Sequence, residues 1–308
     1  MTLHPQAVAA MTEWSHQPSV ADPGFGQADI DAVRSEGRAA AAAEHRAPVE
    51  RVEDVDADGV PCRLYVPLGA PGTAQRAVVF LHGGGFVFGD LDTHDAQARR
   101  VANRTGSAVL AVGYRRPPEH RFPAAPDDVD TALGWLVAHA PVLGLDAGRL
   151  VALGDSAGGN LALVAALRNP GVLAACVLVY PFVDATMSCP SYAALDGGLT
   201  RDEAEWYWQQ YARGPGDLAD ADLTPFASDW LDCLPATLVQ VAEHDVLADE
   251  DVELGRRIAA AGVRARVTTY PGMVHGFWRH PRLFDAADEA LAEVASFLEA
   301  YVGPGLED

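Results

Sequence analysis

Short apolar runs alternate with helical stretches along most of the chain. The runs are rich in Val and Leu, which is typical of buried strands, and they lie at residues 77–81, 108–113, 150–153, 174–180, 236–241 and 265–270. Stretches with a helical pattern separate them, at about 93–105, 125–140, 157–168, 249–262 and 284–302. Strands that alternate with helices indicate βαβ units. The pattern therefore predicts an α/β protein with a mostly parallel sheet covered on both faces.

Two segments precede this repeat. Residues 51–55 and 61–66 flank Asp58-Gly59, the strongest short signal for a β-hairpin. This arrangement predicts an antiparallel pair of strands at the start of the sheet. Residues 1–48 are rich in alanine and lack a strand pattern, so we expect them to be helical.

One interval interrupts the alternation of strands and helices. More than 50 residues separate the strand that ends near Tyr180 from the one that begins at Ala236, and they include an aromatic-rich helix at 203–211. Loops of this length are usually functional or separately folded. We predict a helical cap over the carboxyl ends of the strands, with an aromatic core filling as the alternative. The predicted divisions are 1–48 (N-terminal cap segment), 49–184 (first part of the catalytic core), 185–232 (cap insertion) and 233–308 (second part of the core).

Composition narrows the classes of function. The chain has 308 residues, 49% of them hydrophobic, with a net charge of -21. The electric field of a protein with this negative charge repels nucleic acid and anionic membrane surfaces, so we expect neither a nucleic-acid partner nor membrane insertion. All 22 basic residues are arginine, which excludes lysine Schiff-base chemistry. The four cysteines form no C-x-x-C pair, and the first residues lack a signal-peptide pattern, so a cytoplasmic protein with reduced thiols is expected.

Two glycine-rich motifs point to acyl transfer. Residues 154–158 (G-D-S-A-G) fit the turn that presents a nucleophilic serine between a strand and a helix, which predicts Ser156 as nucleophile. Residues 82–85 (H-G-G-G) fit the loop whose N–H groups help to form an oxyanion hole in esterases. We predict that the N–H groups of three residues stabilise the oxyanion: Gly83, Gly84 and Ala157.

A serine nucleophile needs a base and an acid that orients this base. In α/β-hydrolases the chain order is serine, acid, histidine, each after a strand. Asp245 and His275 follow the predicted strands 236–241 and 265–270 and satisfy this order. Alternatives remain for both roles. His244 is a rival base, and the rival acids are Glu243, Asp249 and Asp251, of which the last two should lie on the next helix and face solvent.

Motifs for other chemistries are absent from the sequence. It contains no H-E-x-x-H zinc motif, no G-x-x-x-x-G-K-[ST] phosphate loop and no G-x-G-x-x-G after a strand. We therefore expect no metal site and no phosphate-binding loop.

At this point the chain resembles the hormone-sensitive-lipase-like family of α/β-hydrolases, in its bacterial esterase branch. Four segments carry the resemblance: 82–86, 114–125, 154–160, and 245–250 together with 275–277. It implies the α/β-hydrolase fold with an eight-stranded sheet and a helical cap, a triad of Ser156, Asp245 and His275, and no cofactor. The chain departs from the family at Arg116-Pro117, where Leu-Ala is more frequent, and at Glu243-His244, where small or apolar residues are more frequent.

The resulting expectation is a serine carboxylic-ester hydrolase that cleaves short-to-medium acyl esters through an acyl-enzyme. An amidase or formamidase, a sugar-acetyl deacetylase and a lactone hydrolase would use the same triad, and a non-catalytic binder is a remote alternative. The partner is a small-molecule ester, and a homodimer is possible, as in related proteins. The expected substrate pocket contains Phe86, Asp155, Trp206, Tyr207 and Phe277, with Trp208 and Phe226 as further wall residues.

Overall fold

An eight-stranded sheet runs through the computed structural model, which describes residues 2–70, 72 and 74–303. Its strands are β1 (Arg51–Ala57), β2 (Val60–Val66), β3 (Gln75–Leu81), β4 (Ala108–Val112), β5 (Leu145–Asp155), β6 (Ala175–Val179), β7 (Ala236–Ala242) and β8 (Ala265–Tyr270). Their order is β1-β2-β4-β3-β5-β6-β7-β8. β2 is antiparallel to β1 and to β4, and the other neighbours are parallel. The predicted mostly parallel, eight-stranded sheet is confirmed.

Helices cover both faces of this sheet. They are α1 (Pro5–Trp14), α2 (Gln27–Ala42), α3 (Asp95–Thr105), α4 (Ala124–His139), α5 (Ala157–Arg168), α6 (Ser191–Ala194), α7 (Arg201–Tyr211), α8 (Ala248–Ala260) and α9 (Ala286–Val302). α3 and α9 pack together on one face, and α4, α5 and α8 lie on the other. Among the residues that the structure describes, no helix has the length and apolarity needed to cross a bilayer.

The hairpin between β1 and β2 forms at the predicted dipeptide. Asp58 and Gly59 have φ values of 53° and 95°. A two-residue turn with positive φ at both positions matches the twist of the strands that it joins, and Asp and Gly tolerate this conformation. The Asp56 carboxylate also accepts a hydrogen bond from the Gly59 N–H at 2.6 Å. The antiparallel pair at the edge of the sheet follows from this turn.

The central strands are continuous apolar runs because both of their faces are buried. In β3, Val78 and Phe80 belong to the core beneath α3 and α9, whereas Ala77, Val79 and Leu81 belong to the core on the other face. Successive side chains of a strand point to opposite faces, so a strand between two helical layers has no polar side.

The N-terminal residues form two separate helices. Trp14 at the end of α1 packs on the rings of His280 and Phe284, at 5.5 Å and 6.0 Å. In α2, Arg34 pairs with Glu119 at 2.7 Å. The two helices are thus attached to different parts of the core.

The long interval between β6 and β7 contains α6, α7 and three short 3₁₀ turns. The predicted aromatic-rich helix at 203–211 is present as α7. Its first turn carries a capping box, in which Thr200 and Glu203 bond each other's backbone N–H groups. On its inner side Trp208 and Tyr211 are buried, while Trp206 and Tyr207 are half-buried.

Candidate active site

Ser156 occupies a sharp turn between β5 and α5. Its φ of 54° is rare for a residue other than glycine. A Cβ at Gly154 would lie 2.1 Å from the Gly158 carbonyl oxygen, and one at Gly158 would lie 1.9 Å from that of Leu81. Both glycines are needed for this close backbone contact. The strained turn leaves the Ser156 side chain at the wall of a cavity.

Three side chains from separate loops meet at this turn. His275 Nε2 lies 2.9 Å from Ser156 Oγ, and His275 Nδ1 lies 2.6 Å from Asp245 Oδ2. Asp245 is fully buried, and its other carboxylate oxygen accepts the Leu247 N–H at 3.1 Å. An ionised carboxylate can only accept, so this arrangement assigns the imidazole proton to Nδ1 and leaves Nε2 to accept from the serine hydroxyl. The structure brings together the three predicted triad residues.

The loop that carries His275 is held by its neighbours. The His275 N–H donates to the Gly197 carbonyl at 2.9 Å. A Cβ at Gly198 would lie 2.6 Å from the His275 carbonyl oxygen. Glu243 accepts the Gly272 N–H at 2.8 Å. Glu243, an alternative acid in the sequence analysis, therefore braces the loop that precedes His275 and is not paired with the imidazole of His275.

The other rivals lie away from the serine–histidine pair. The His244 N–H donates to the Met273 carbonyl at 2.8 Å. Asp249 is exposed, as expected, and accepts the Ser191 N–H at 2.8 Å. The expectation that Asp251 also faces solvent is wrong: Asp251 is fully buried, since this side of the first turn of α8 packs inward. Within the described residues neither Asp251 oxygen has a hydrogen-bond partner, and burial raises its pKa well above the ordinary value.

The glycine-rich loop after β3 offers two free donors. The Gly83 N–H donates to Asp155 Oδ1 at 3.0 Å, so the predicted oxyanion donor Gly83 is already engaged by a carboxylate. Gly84 and Gly85 line the cavity beside Ser156. The N–H groups of Gly84, Gly85 and Ala157 have no acceptor among the residues described. Within the described residues, the N–H groups that are free to donate to an oxyanion are thus those of Gly84, Gly85 and Ala157, and not that of Gly83.

Close packing on both sides fixes this loop. The His82 ring stacks on Tyr114 at 4.2 Å, and the Tyr114 hydroxyl donates to the His82 carbonyl at 2.7 Å. Burial lowers the pKa of His82 to about 3, so its ring is neutral. On the cavity side, a Cβ at Gly85 would lie 2.0 Å from the Tyr207 ring. Residues of the core and of α7 therefore hold the loop between them.

A cavity of about 180 Å³ opens in front of Ser156 and His275. Of the expected pocket residues, Asp155 and Tyr207 line it. Apart from glycines, six lining residues were missed by sequence reasoning: Tyr180, Phe182, Leu199, Glu203, Arg279 and His280. The position of Arg279, four residues after His275 in the sequence, could have indicated that this residue lines the cavity.

Three expected pocket residues lie outside the lining because they pack against other rings. Phe86 is fully buried and stacks on Tyr211 at 3.7 Å. Phe277 is also buried, 5.2 Å from the Tyr270 ring. Trp206 stacks on Phe88 at 6.3 Å and also contacts Phe25, at 5.6 Å. The two remaining wall candidates, Trp208 and Phe226, are likewise absent from the lining.

A strand-to-helix serine turn, a histidine and an acid after later strands, and an eight-stranded sheet define an α/β-hydrolase. The model of a family described as having an alpha/beta hydrolase fold matches residues 78–279. The chain is 38% identical over 255 residues to an ethyl acetate hydrolase of Pseudomonas putida, covering 80% of each chain. It is 36% identical over 256 residues to the esterase LipI of Mycobacterium tuberculosis, covering 79% of this chain and 80% of that one.

A solved structure shows the same relation. The hyperthermophilic esterase of the archaeon Pyrobaculum calidifontis superposes with a TM-score of 0.89 at 34% identity, over 97% of this chain and 99% of that one. The chain belongs to the α/β-hydrolase family of hormone-sensitive-lipase-like esterases. The resemblance carried by the four sequence motifs is confirmed, and with it the enzyme class, a carboxylesterase-type hydrolase.

Proposed function

We propose that this protein hydrolyses short-chain carboxylic esters through an acyl-enzyme on Ser156. The observation that carries the proposal is the continuous hydrogen-bonded chain from Ser156 Oγ through His275 to the buried Asp245. A serine hydroxyl is a weak nucleophile, and an adjacent base oriented by a third group activates it.

In the first step, Ser156 Oγ attacks the ester carbonyl while His275 Nε2 takes the hydroxyl proton. The N–H groups of Gly84, Gly85 and Ala157 stabilise the oxyanion that forms, since no protein acceptor occupies them in the described part of the chain. The C–O bond to the alcohol then breaks, and the alcohol leaves with the proton from His275. Asp245 holds the imidazole in the required orientation and stabilises its positive charge.

In the second step, water releases the acyl group. His275 Nε2 removes a proton from the water as its oxygen attacks the acyl carbonyl carbon. The same N–H groups stabilise the second oxyanion. The bond to Ser156 Oγ then breaks, the serine recovers its proton from His275, and the carboxylic acid leaves.

The size of the cavity supports the short end of the expected acyl range. Its volume of about 180 Å³ is smaller than the roughly 300–1,000 Å³ of pockets that hold drug-sized ligands. Tyr207 and Phe182 form bulky walls close to the serine. A relative with 38% identity bears the name ethyl acetate hydrolase, which agrees with this size. We propose acetyl to butyryl esters as the preferred substrates.

We propose that residues 1–48 and 185–232 act together as the cap of this site. Leu199, Glu203 and Tyr207 of the second segment line the cavity. The Ser19 hydroxyl of the first segment donates to Glu203 at 2.7 Å, which joins the two segments beside the site. A homodimer also remains a proposal: β8 ends the sheet and its Val267 side chain is exposed. Sedimentation velocity would test it.

The experiment that tests this function compares the wild-type enzyme with Ser156→Ala on a panel of 4-nitrophenyl esters from acetate to decanoate. The wild type should hydrolyse acetate and butyrate best. Ser156→Ala should lose turnover on every ester while its circular dichroism spectrum stays unchanged. Turnover by the folded variant at the wild-type rate would contradict the proposal, and a rate that still rises at decanoate would contradict the short-acyl preference. Acetanilide and acetylated sugars in the same panel separate amidase and deacetylase activity.

A further inference from the structure

One guanidinium in the candidate active site lacks a partner among the residues that the structure describes. Arg279 ends the short helical turn that follows His275, and it lines the cavity together with Ser156 and His275. Its side chain is half-buried. Within residues 2–70, 72 and 74–303, this side chain makes no hydrogen bond and no ion pair. Arg279 also lines a neighbouring cavity, and its five N–H donors are available to a ligand.

Arg279 differs from two other half-buried arginines of this chain, both of which pair with acidic side chains. The sequence has 43 acidic residues and 22 arginines, so carboxylates are abundant. Arg168 contacts three of them, at 2.8–3.0 Å: Asp127, Asp130 and Asp222. Arg34 pairs with Glu119 at 2.7 Å. Arg121 and Arg257 are half-buried without an acid partner, but both donate to backbone carbonyls. A half-buried arginine that has no acceptor at all among the described residues points to a ligand as the missing acceptor.

The other ionisable groups of the cavity do not neutralise Arg279 by contact. Asp155 accepts the Gly83 N–H; burial raises the pKa of its carboxyl, and the charge of Arg279 acts in the opposite direction. Glu203 bonds the Ser19 hydroxyl through one oxygen and the N–H of its capping partner through the other. Burial lowers the pKa of His280 to about 4, so this ring is neutral at pH 7. Arg279 therefore carries the one permanent positive charge among the described lining residues.

We infer that Arg279 binds a carboxylate of the substrate, so that the preferred esters carry a second, ionised acid group close to the scissile bond. The inference rests on the proposed ester hydrolysis. A guanidinium matches a carboxylate with two parallel hydrogen bonds, which gives both charge recognition and orientation. The small cavity limits such substrates to short molecules, such as hemiesters of short dicarboxylic acids or acyl esters of short hydroxy acids.

Two pairs of esters of equal shape test this inference. In acetoxyacetate and isobutyl acetate, a carboxylate and an isopropyl group occupy the same place on the alcohol side. Monoethyl succinate and ethyl 4-methylpentanoate form the same pair on the acyl side. Titration of the released acid at constant pH gives kcat/KM for each ester. The measured quantity is the ratio of the charged to the neutral ester within each pair.

The wild type should favour the charged ester in at least one pair. Arg279→Gln should lower that ratio about 10- to 100-fold, the loss typical of a charge-assisted hydrogen bond, mainly through KM. Arg279→Lys should restore part of it. Arg282→Gln is the matched control, because Arg282 is exposed and lines a neighbouring cavity but not that of Ser156. This control should leave the ratio unchanged.

Two results would overturn the inference and leave the proposed function intact. One is a wild-type preference for the neutral ester in both pairs, with hydrolysis that Ser156→Ala abolishes. The other is an equal loss of the ratio in Arg279→Gln and Arg282→Gln, which would assign the effect to the general field of the protein. If the wild type hydrolyses none of the four esters, the proposed function and the inference fail together.

Discussion

The two sides of the candidate active site are built in different ways. Ser156, Asp245 and His275 each lie within five residues of the carboxyl end of a strand, so the hydrogen-bonded sheet sets their separation. The facing wall comes from the insertion between β6 and β7, whose Leu199 and Tyr207 line the cavity; the Tyr207 ring packs edge-on against the rings of Phe88 and Trp206. The sheet thus positions the reacting groups, while the insertion sets the volume of the cavity and the groups that meet the substrate.

The largest effect is expected on the sheet side, at Asp245. In Asp245→Asn an amide replaces the carboxylate that accepts the His275 Nδ1–H at 2.6 Å, which favours the wrong tautomer of the imidazole. We expect kcat for 4-nitrophenyl acetate to fall about 10³–10⁴-fold, as for the equivalent change in a serine protease. Steady-state kinetics and a melting curve of the same sample would show whether the loss is catalytic.

Glu243→Gln is the control for that change, because Glu243 is a rival acid that braces the loop of His275 through the Gly272 N–H. The amide oxygen can accept the same bond, so turnover should change by less than about threefold. A loss in Glu243→Gln as large as that in Asp245→Asn would contradict the assignment of the acid.

A smaller effect is expected where the two sides meet, at Gly85. In Gly85→Ala the new Cβ would lie 2.0 Å from the Tyr207 ring, and φ at this position is 58°, which suits glycine. The loop and the ring must move apart, which displaces Gly85, one of the proposed oxyanion donors. We expect kcat to fall about 10²-fold, the order of losing one such donor.

A double variant separates the steric cause from the backbone cause of this loss. Gly85→Ala combined with Tyr207→Ala removes the ring that the Cβ would meet. It should recover part of the turnover relative to Gly85→Ala alone. No recovery would assign the loss to the backbone conformation at residue 85. It would contradict the idea that a clash with the Tyr207 ring causes the loss.

The smallest effect on activity is expected at Asp251, which lies on the sheet side but outside the triad. Burial raises the pKa of Asp251 in the folded chain, whereas in the unfolded chain it ionises near pH 4. Ionisation therefore favours unfolding increasingly as the pH rises above 4 towards the folded pKa. Asp251→Asn removes this pH-dependent loss of folding stability. Its melting temperature should equal that of the wild type near pH 4 and exceed it by roughly 2 °C or more at pH 8.

Glu253→Gln on the same helix is the matched control for Asp251→Asn. Glu253 pairs with Arg256 at 2.6 Å near the surface, and this pairing lowers the pKa of Glu253. Its loss should destabilise slightly at neutral pH, the opposite sign. A melting temperature of Asp251→Asn below that of the wild type at pH 8 would show that the buried carboxyl has a stabilising partner.

Sequence reasoning succeeded where local rules govern the structure. The strands, the Asp58-Gly59 hairpin and the turn at Ser156 depend on apolar runs, on turn residues and on a glycine motif, all of which are visible in a single chain. The meeting of Ser156, Asp245 and His275 followed from their positions after parallel strands, since these ends share one edge of the sheet.

The walls of the cavity could not be predicted in this way. An aromatic residue near the site can face the cavity or pack on another ring, and Phe86 and Phe277 pack on other rings. The Gly83 N–H lies in the expected loop, but a buried carboxylate 72 positions away engages it. Asp251 follows a surface pattern and yet faces the core. These outcomes depend on contacts between distant parts of the chain, which periodicity does not encode.

The most direct measurement of the central claim is covalent labelling of the nucleophile. The wild-type enzyme is treated with a fluorophosphonate and analysed by intact-mass and peptide mass spectrometry, with Ser156→Ala and Asp245→Asn in parallel. We expect one label per chain, on the peptide that contains Ser156, together with loss of esterase activity. We expect no label on Ser156→Ala and slow labelling of Asp245→Asn. An active esterase that resists the reagent, or a label on a different serine, would contradict Ser156 as the nucleophile.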